Sequence, residues 1–326
     1  MPLNRLSDRN MIPRPLFKDT SSGFQLFTFL FLMLFGILLG TLGGLVILKL
    51  FLGIGVAEAG SLLKEAIDLN PARILQITSQ FGLFILPPLA FSWLFMEKPL
   101  FSLGFSKIAN RKILLAGLML MFAGLPFIHF LAEMNESIQL PASLSNLEAW
   151  MKDKEEEAKR LTDIFLGVSS ISGLMINLLM IAVIPALGEE LVFRSVLQPV
   201  LGKLFRNIHF GIVISALVFS LMHFQFYGLI PRFVLGLFMG YFYYWSGSIW
   251  VPILMHFLNN GAAVIVYYLF FTGQSNVPLE EFGAMENIPL LILSIVASAA
   301  LLYAGFRWKT GSGKDMLNKP VPEDRI

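Results

Sequence analysis

"ALGEELVFRSVL", residues 186–197, lies inside a long apolar run. Glu189, Glu190 and Arg194 stand where the flanking chain has the composition of a bilayer interior. A charged side chain at that depth costs about 3 kcal/mol on insertion scales. Such groups persist where they face the inside of a helix bundle and are paired or put to use.

The rest of the chain agrees with a membrane setting. Of 326 residues 56% are hydrophobic and only 14% charged, against about 25% charged in soluble domains. The mean hydropathy is +0.72, and Phe alone occurs 31 times. The chain has no cysteine, which removes disulfides, thiolate metal sites and cysteine nucleophiles together. The net charge of +2 points to no nucleic-acid partner.

Apolar runs long enough to cross a bilayer, about 20 residues, fall at 24–48, 74–96, 113–131, 171–200, 208–227, 229–246, 249–271 and 288–306. The expectation is an all-α polytopic membrane protein of about eight transmembrane helices, with its polar site inside the bundle. It divides into a cytosolic tail at 1–23, a membrane domain at 24–308 and a second cytosolic tail at 309–326. The N-terminal stretch is polar and basic throughout, so it reads as a tail before a retained span and not as a cleaved leader. Lys and Arg gather in the segments that an inside N-terminus makes cytoplasmic, and the loop at 272–287 has none. The positive-inside rule then favours both termini in the cytoplasm, and the membrane expected is a bacterial inner membrane. One segment, 146–165, mixes acids and bases around Leu147, Trp150, Met151, Ala158, Leu161 and Ile164. It reads as an amphipathic helix outside the membrane, either a solvated connector or a helix lying on the surface.

In the second half, the spans hold Glu189, Glu190, Arg194, His223, Arg232 and His256, with Asn259 and Asn260 beside them. Glu190 and Arg194 are four apart, share a helix face and can pair. Glu189 projects about 100° away and needs another partner or a task. His256 and Asn260 are also four apart. Centring each span puts Glu189 and Asn260 near the midplane, His256 about 6 Å nearer the cytoplasm and His223 about 8 Å past the centre of its own span. Convergence therefore requires tilted helices or a deep start to the fifth. Two chemistries fit the set. Glu189, His223 and His256 could hold a single zinc with an open position for water. Without metal, a carboxylate held by a histidine could act as general base on water, while a second histidine and an asparagine stabilise an oxyanion. Both end in hydrolysis of an acyl bond.

Three motifs stand in order: Glu-Glu-x-x-x-Arg in "EELVFR", Phe-x-x-x-His in "FSLMH" and His-x-x-x-Asn in "HFLNN". Their order and separation resemble the CPBP family of intramembrane proteases, also called the Abi or CAAX-protease family, and "GLFMGYFYYWSGSIWVPILMHFLNN" at 236–260 extends the likeness. The resemblance covers 171–270. It implies an eight-helix core and cleavage of a peptide bond near the C-terminus of a membrane-embedded or lipidated (CAAX-like) protein or peptide. It implies Glu189 and His223 as the pair that activates water, and His256 and Asn260 as oxyanion stabilisers. Glu190 and Arg194 would shape the site. The family was named for metalloproteases, while a glutamate mechanism fits the same residues, so the cofactor expectation is none or one zinc. Oligomeric state is not read from the sequence.

Other features have structural readings. Gly236 and Gly240 suit close helix packing. Pro185 suggests a kink before Glu189, and Pro87–Pro88 a break in the second span. Pro252 sits near a helix start, where proline is tolerated. His129 and His209 read as structural, and Trp93, Trp245, Trp250 and Trp308 as interfacial anchors. Two competing functions are a proton-coupled transporter and a non-catalytic peptide-binding or bacteriocin-immunity protein. Against the first, the chain lacks paired halves with broken helices; against the second, no motif residue is missing.

Overall fold

A computed structural model describes residues 15–17, 19–59, 69–105, 109–284 and 287–309. The expected polar tails fall for the most part outside the described residues. Among the described residues every regular element is helical. Six helices are long and apolar enough to cross a membrane. They include α1 (Ser22–Leu52), α2 (Leu69–Phe95), α6 (Ile171–Leu204), α9 (Trp250–Phe271) and α10 (Ile288–Arg307). The sixth contains α8 (Leu229–Ser246). A bent pair, α3 (Arg111–Ala123) and α4 (Leu125–Glu136), is a seventh candidate span if counted as one, and its halves turn 50° against each other at Gly124, just before Pro126.

The expected run at 208–227 is the exception. It forms only α7 (Ile208–Leu221), 14 residues or about 21 Å long, short of a bilayer core of about 30 Å. Asn207 caps its start by accepting from the His209 amide. At its end the chain turns sharply, with Phe224 in the left-handed region at φ 52°. The apolar composition continues past Leu221, but the helix does not. This early stop swings His223 back toward the bundle.

Prolines do not break the long helices. In α2 a π-helical stretch, Phe81–Ile85, runs directly into Leu86 and Pro87–Pro88. In α6 two such stretches, Leu178–Val183 and Leu191–Leu197, precede Pro185 and Pro199. A proline lacks the N–H that would bond four residues back, and its ring crowds that carbonyl. A widened turn shifts the register of bonding and absorbs both defects, and such turns cluster at functional sites. Helix α2 therefore continues through the break expected at Pro87–Pro88.

The bundle packs tightly where the site is built. Gly236 and Gly240 of α8 face α7: a Cβ on Gly236 would press on Ala216, and one on Gly240 would press on Ile212 and Gln198. Small residues bring the two backbones together here. Gln198 of α6 donates to the Gly240 carbonyl at 3.2 Å, and Ser215 of α7 donates to the Phe193 carbonyl at 2.9 Å. Polar side chains thus satisfy each other's helices in an apolar interior, where an unpaired group is costly.

The amphipathic segment forms α5 (Ser145–Leu166), with Glu148–Lys152 and Lys154–Glu157 paired along its exposed face at 2.8 and 2.6 Å. It is more than a solvated connector. Trp150 packs on Phe226 with ring centroids 5.3 Å apart, and Glu155 accepts from Gln225 Nε2 at 3.2 Å and from the Tyr227 amide at 3.3 Å. Asn135 at the end of α4 holds the same turn from the other side, donating to the Phe226 carbonyl and accepting from the Ile230 amide.

Candidate active site

Helix α6 carries Glu189, Glu190 and Arg194, and all three are buried. Glu190 Oε2 lies 3.0 Å from Arg194 Nε, the i,i+4 pair that the spacing anticipates. The Arg194 guanidinium also donates to the Gly236 carbonyl at 3.3 Å and lies 4.9 Å from the Phe219 ring centroid. The other oxygen of Glu190 reaches across to α9, where Oε1 lies 2.8 Å from His256 Nδ1. With Glu190 charge-paired to Arg194, His256 Nδ1 is the donor.

That choice fixes the other face of His256. In the neutral ring Nε2 then carries the lone pair. Asn260, one turn on, has its Nδ2 at 3.2 Å from Nε2 and donates also to the Ile181 carbonyl at 3.0 Å. Asn260 Oδ1 accepts from Asn259 at 3.1 Å. The amide is thereby held by three neighbours, and its position follows from α6 as much as from α9. Glu189 Oε2 is 4.0 Å from His256 Nε2, beyond hydrogen-bond range, and has no hydrogen-bond partner among the described residues. Its side chain keeps 11% exposure.

His223 is oriented by the end of α7. The last carbonyls of a helix lack internal partners, and Phe219 offers one of them to His223 Nδ1 at 2.8 Å. A carbonyl only accepts, so Nδ1 bears the proton and Nε2 is the basic nitrogen of the neutral ring. Phe219 is the common wall of the site: its ring is 5.1 Å from His223, 5.9 Å from His256 and 5.2 Å from Phe193, each edge to face. The sequence marks Phe219 only by its spacing before His223.

His223, His256, Asn259 and Asn260 line a cavity of about 80 Å³ together with Phe219, Arg232 and three apolar side chains. Glu189, Glu190, Arg194, His256 and Asn260 form one contact network, and His223 shares the cavity wall with the last two. No hydrogen bond or ion pair joins His223 to Glu189 among the described residues, so the pairing expected from the resemblance is not a direct contact. The histidine–carboxylate bond in the site is instead between His256 and Glu190. Sequence spacing could not reveal it, because the two lie on different helices.

The zinc set Glu189, His223 and His256 is not assembled. Among the described residues no three His, Cys, Asp or Glu side chains are grouped to hold a metal ion. A metal would take Nε2 of each ring, since His256 Nδ1 is committed to Glu190 and His223 Nδ1 to a carbonyl, and these two Nε2 atoms are not grouped together with Glu189.

The fold and site define a polytopic membrane protein with a buried Glu190–His256–Asn260 chain whose histidine and asparagine line a cavity. Residues 171–262 match the family described as Rce1-like, type II CAAX prenyl endopeptidase Rce1-like. The chain is also 33% identical over 97 residues to the membrane-embedded CAAX protease MroQ of Staphylococcus aureus (strain USA300). That alignment takes in 27% of this chain and spans 38% of the relative's length. No solved structure matches the chain. Residues 171–262 are thus similar to the CAAX-protease (CPBP) family that the three motifs resemble.

Proposed function

We propose that the protein is an intramembrane endopeptidase that hydrolyses a peptide bond near the C-terminus of a membrane-embedded or lipidated substrate. The observation that carries the reading is the Glu190–His256–Asn260 chain at the wall of the cavity, within the segment that matches the family. Glu189 takes a proton from water, and the water oxygen attacks the scissile carbonyl carbon. His223, with Nε2 as acceptor, orients that water. The carbonyl oxygen becomes an oxyanion, which meets the Asn260 amide and, when His256 is protonated, its Nε2–H. Glu190 holds the His256 ring through Nδ1, and Arg194 holds Glu190 in place. Collapse of the intermediate breaks the C–N bond, and the proton held by Glu189 passes to the leaving amine. General-base action of this kind is worth about 10²–10⁴-fold, and one oxyanion donor about 10²–10³-fold.

The test is cleavage of a fluorogenic peptide library that includes farnesylated C-terminal CAAX peptides, by purified wild type and Glu189→Gln. Cleavage by wild type alone is expected. If neither protein cleaves any peptide while both are folded, the hydrolytic reading falls and a non-catalytic peptide-binding role takes its place.

A further inference from the structure

His223 lies past the end of α7, in the turn at 222–228 that leads into α8. Its own amide reaches the Ser220 carbonyl only at 3.4 Å. The next residue, Phe224, stands in the left-handed region at φ 52°. A bulky side chain is strained there, and such strain persists only where the surroundings impose it. The Phe219 carbonyl turns the His223 ring through Nδ1, but it does not fix the backbone that follows.

That backbone is held by side chains from other helices. Besides Asn135 of α4, Arg232 of α8 donates to the Gln225 carbonyl at 3.1 Å and to Gln225 Oε1 at 2.7 Å. From α5, one oxygen of Glu155 accepts from Gln225 Nε2 at 3.2 Å and the other from the Tyr227 amide at 3.3 Å. A carboxylate acceptor strengthens both bonds. A guanidinium only donates and a carboxylate only accepts, so the Gln225 amide has one orientation, oxygen toward α8 and nitrogen toward α5. Carboxylate, amide and guanidinium thus form a line from α5 to the cavity wall, where Arg232 stands with His223. Arg232 also interacts electrostatically with both Glu155 and Glu189. Glu157, two residues along α5, pairs instead with Lys154 on the exposed face.

We propose that Glu155 is a positioning residue of the active site: through Gln225 and the Tyr227 amide it holds the turn at 222–228 and so sets where His223 Nε2 meets the water. The kinetic effect rests on the hydrolytic reading above; the placement of His223 does not.

The experiment uses the full chain in nanodiscs, with Glu155→Ala, Glu155→Gln and, as control, Glu157→Ala. Peptide cleavage gives kcat and KM. Side-chain nitrogen resonances of the histidines report the rings directly, with His223 assigned by its loss in His223→Gln. Glu155→Ala is expected to lower kcat about 10- to 100-fold with KM changed by less than about 2-fold, as a small displacement of a working group does. The His223 resonances should shift while those of His256 hold. Glu155→Gln keeps one accepting oxygen and should stay within about 10-fold of wild type, on the same scale of displacement, and Glu157→Ala should match wild type. Glu155→Ala should also cost less when added to Gln225→Ala than it does alone, because the two share a path.

An unchanged kcat, a rise in KM at constant kcat, or full additivity with Gln225→Ala would overturn the proposal. So would His223 resonances that stay in place in Glu155→Ala, or His256 resonances that move as far as those of His223. If wild type cleaves nothing while Glu155→Ala still shifts His223 alone, the hydrolytic reading fails and the placement stands.

Discussion

His256 Nδ1 and Glu190 Oε1 lie 2.8 Å apart across the α6–α9 interface, and the other Glu190 oxygen is held 3.0 Å from Arg194 Nε. One carboxylate thus orients a histidine on a neighbouring helix while its charge is balanced on its own. Arg194→Ala leaves Glu190 buried with its His256 bond but without its cation. The expected loss is about 3–5 kcal/mol of stability, the usual cost of breaking a buried pair from one side. Thermal unfolding in detergent or nanodiscs would show it as a large drop in Tm. A shift within experimental scatter would mean that Glu190 is protonated or hydrated instead.

Glu189 behaves differently, since its Oε2 has no protein hydrogen-bond partner. Glu189→Gln should leave the unfolding temperature close to that of wild type. Peptide cleavage should fall by at least about 10²-fold, as loss of a general base requires. Equal loss of stability in the two variants would make Glu189 a structural residue.

Asn260 donates both to His256 Nε2 and to the Ile181 carbonyl. Asn260→Ala removes an oxyanion donor, with an expected fall in kcat of about 10²–10³-fold. KM should change little, because the interaction is made in the transition state. A rise in KM at constant kcat would assign Asn260 to ground-state binding.

The side chains that could have formed a zinc site are not grouped to hold one among the described residues. Cleavage should therefore survive prolonged dialysis against a strong chelator, followed by assay in metal-free buffer. Loss of activity restored by zinc would require Glu189, His223 and His256 to come together from where they lie here.

Helix α5 carries the pH response outside the bundle. Glu148 and Glu157 are held below the usual carboxylate range, chiefly by hydrogen bonds from Lys152 and Lys154 and further by their charges. A lowered folded-state pKa means that the contribution is present at neutral pH and is lost as pH falls through the folded value. Amide hydrogen exchange over 145–166 should therefore be slower at about pH 6 than expected from the intrinsic rate, and lose that protection toward about pH 3. Protection that is flat across this range would show that Trp150 and Glu155 alone hold the helix.

Much of the membrane architecture is visible in the sequence, because spans of about 20 apolar residues have few alternatives in lipid. The Glu190–Arg194 and His256–Asn260 contacts are legible too, since a four-residue step on a helix is itself a distance. What the pattern hides lies between helices. Nothing in the spacing says that His256 takes Glu190 and not Glu189, or that His223 is turned by the Phe219 carbonyl. The fifth apolar run conceals the stop at Leu221, because Met222 and Phe224 carry apolar residues on through the turn. Arg232 is visible as an intramembrane charge, but its hydrogen bonds to Gln225 are a property of the fold. The prolines mislead in the other direction: they suggest breaks, while widened turns carry the helices through.

Those widened turns make α6 sensitive to length as well as to composition. Glu189 and Glu190 sit between two of them, Leu178–Val183 and Leu191–Leu197. Each behaves as a single residue inserted into an otherwise regular helix. Removing one residue from the regular turn between them, Ile184–Gly188, would rotate one flank by about 100° against the other. Glu190 would then face away from His256 although every functional side chain was still present. The spacing of this helix is therefore as much a part of the site as its glutamates, and a one-codon deletion there should silence the protein more completely than most substitutions.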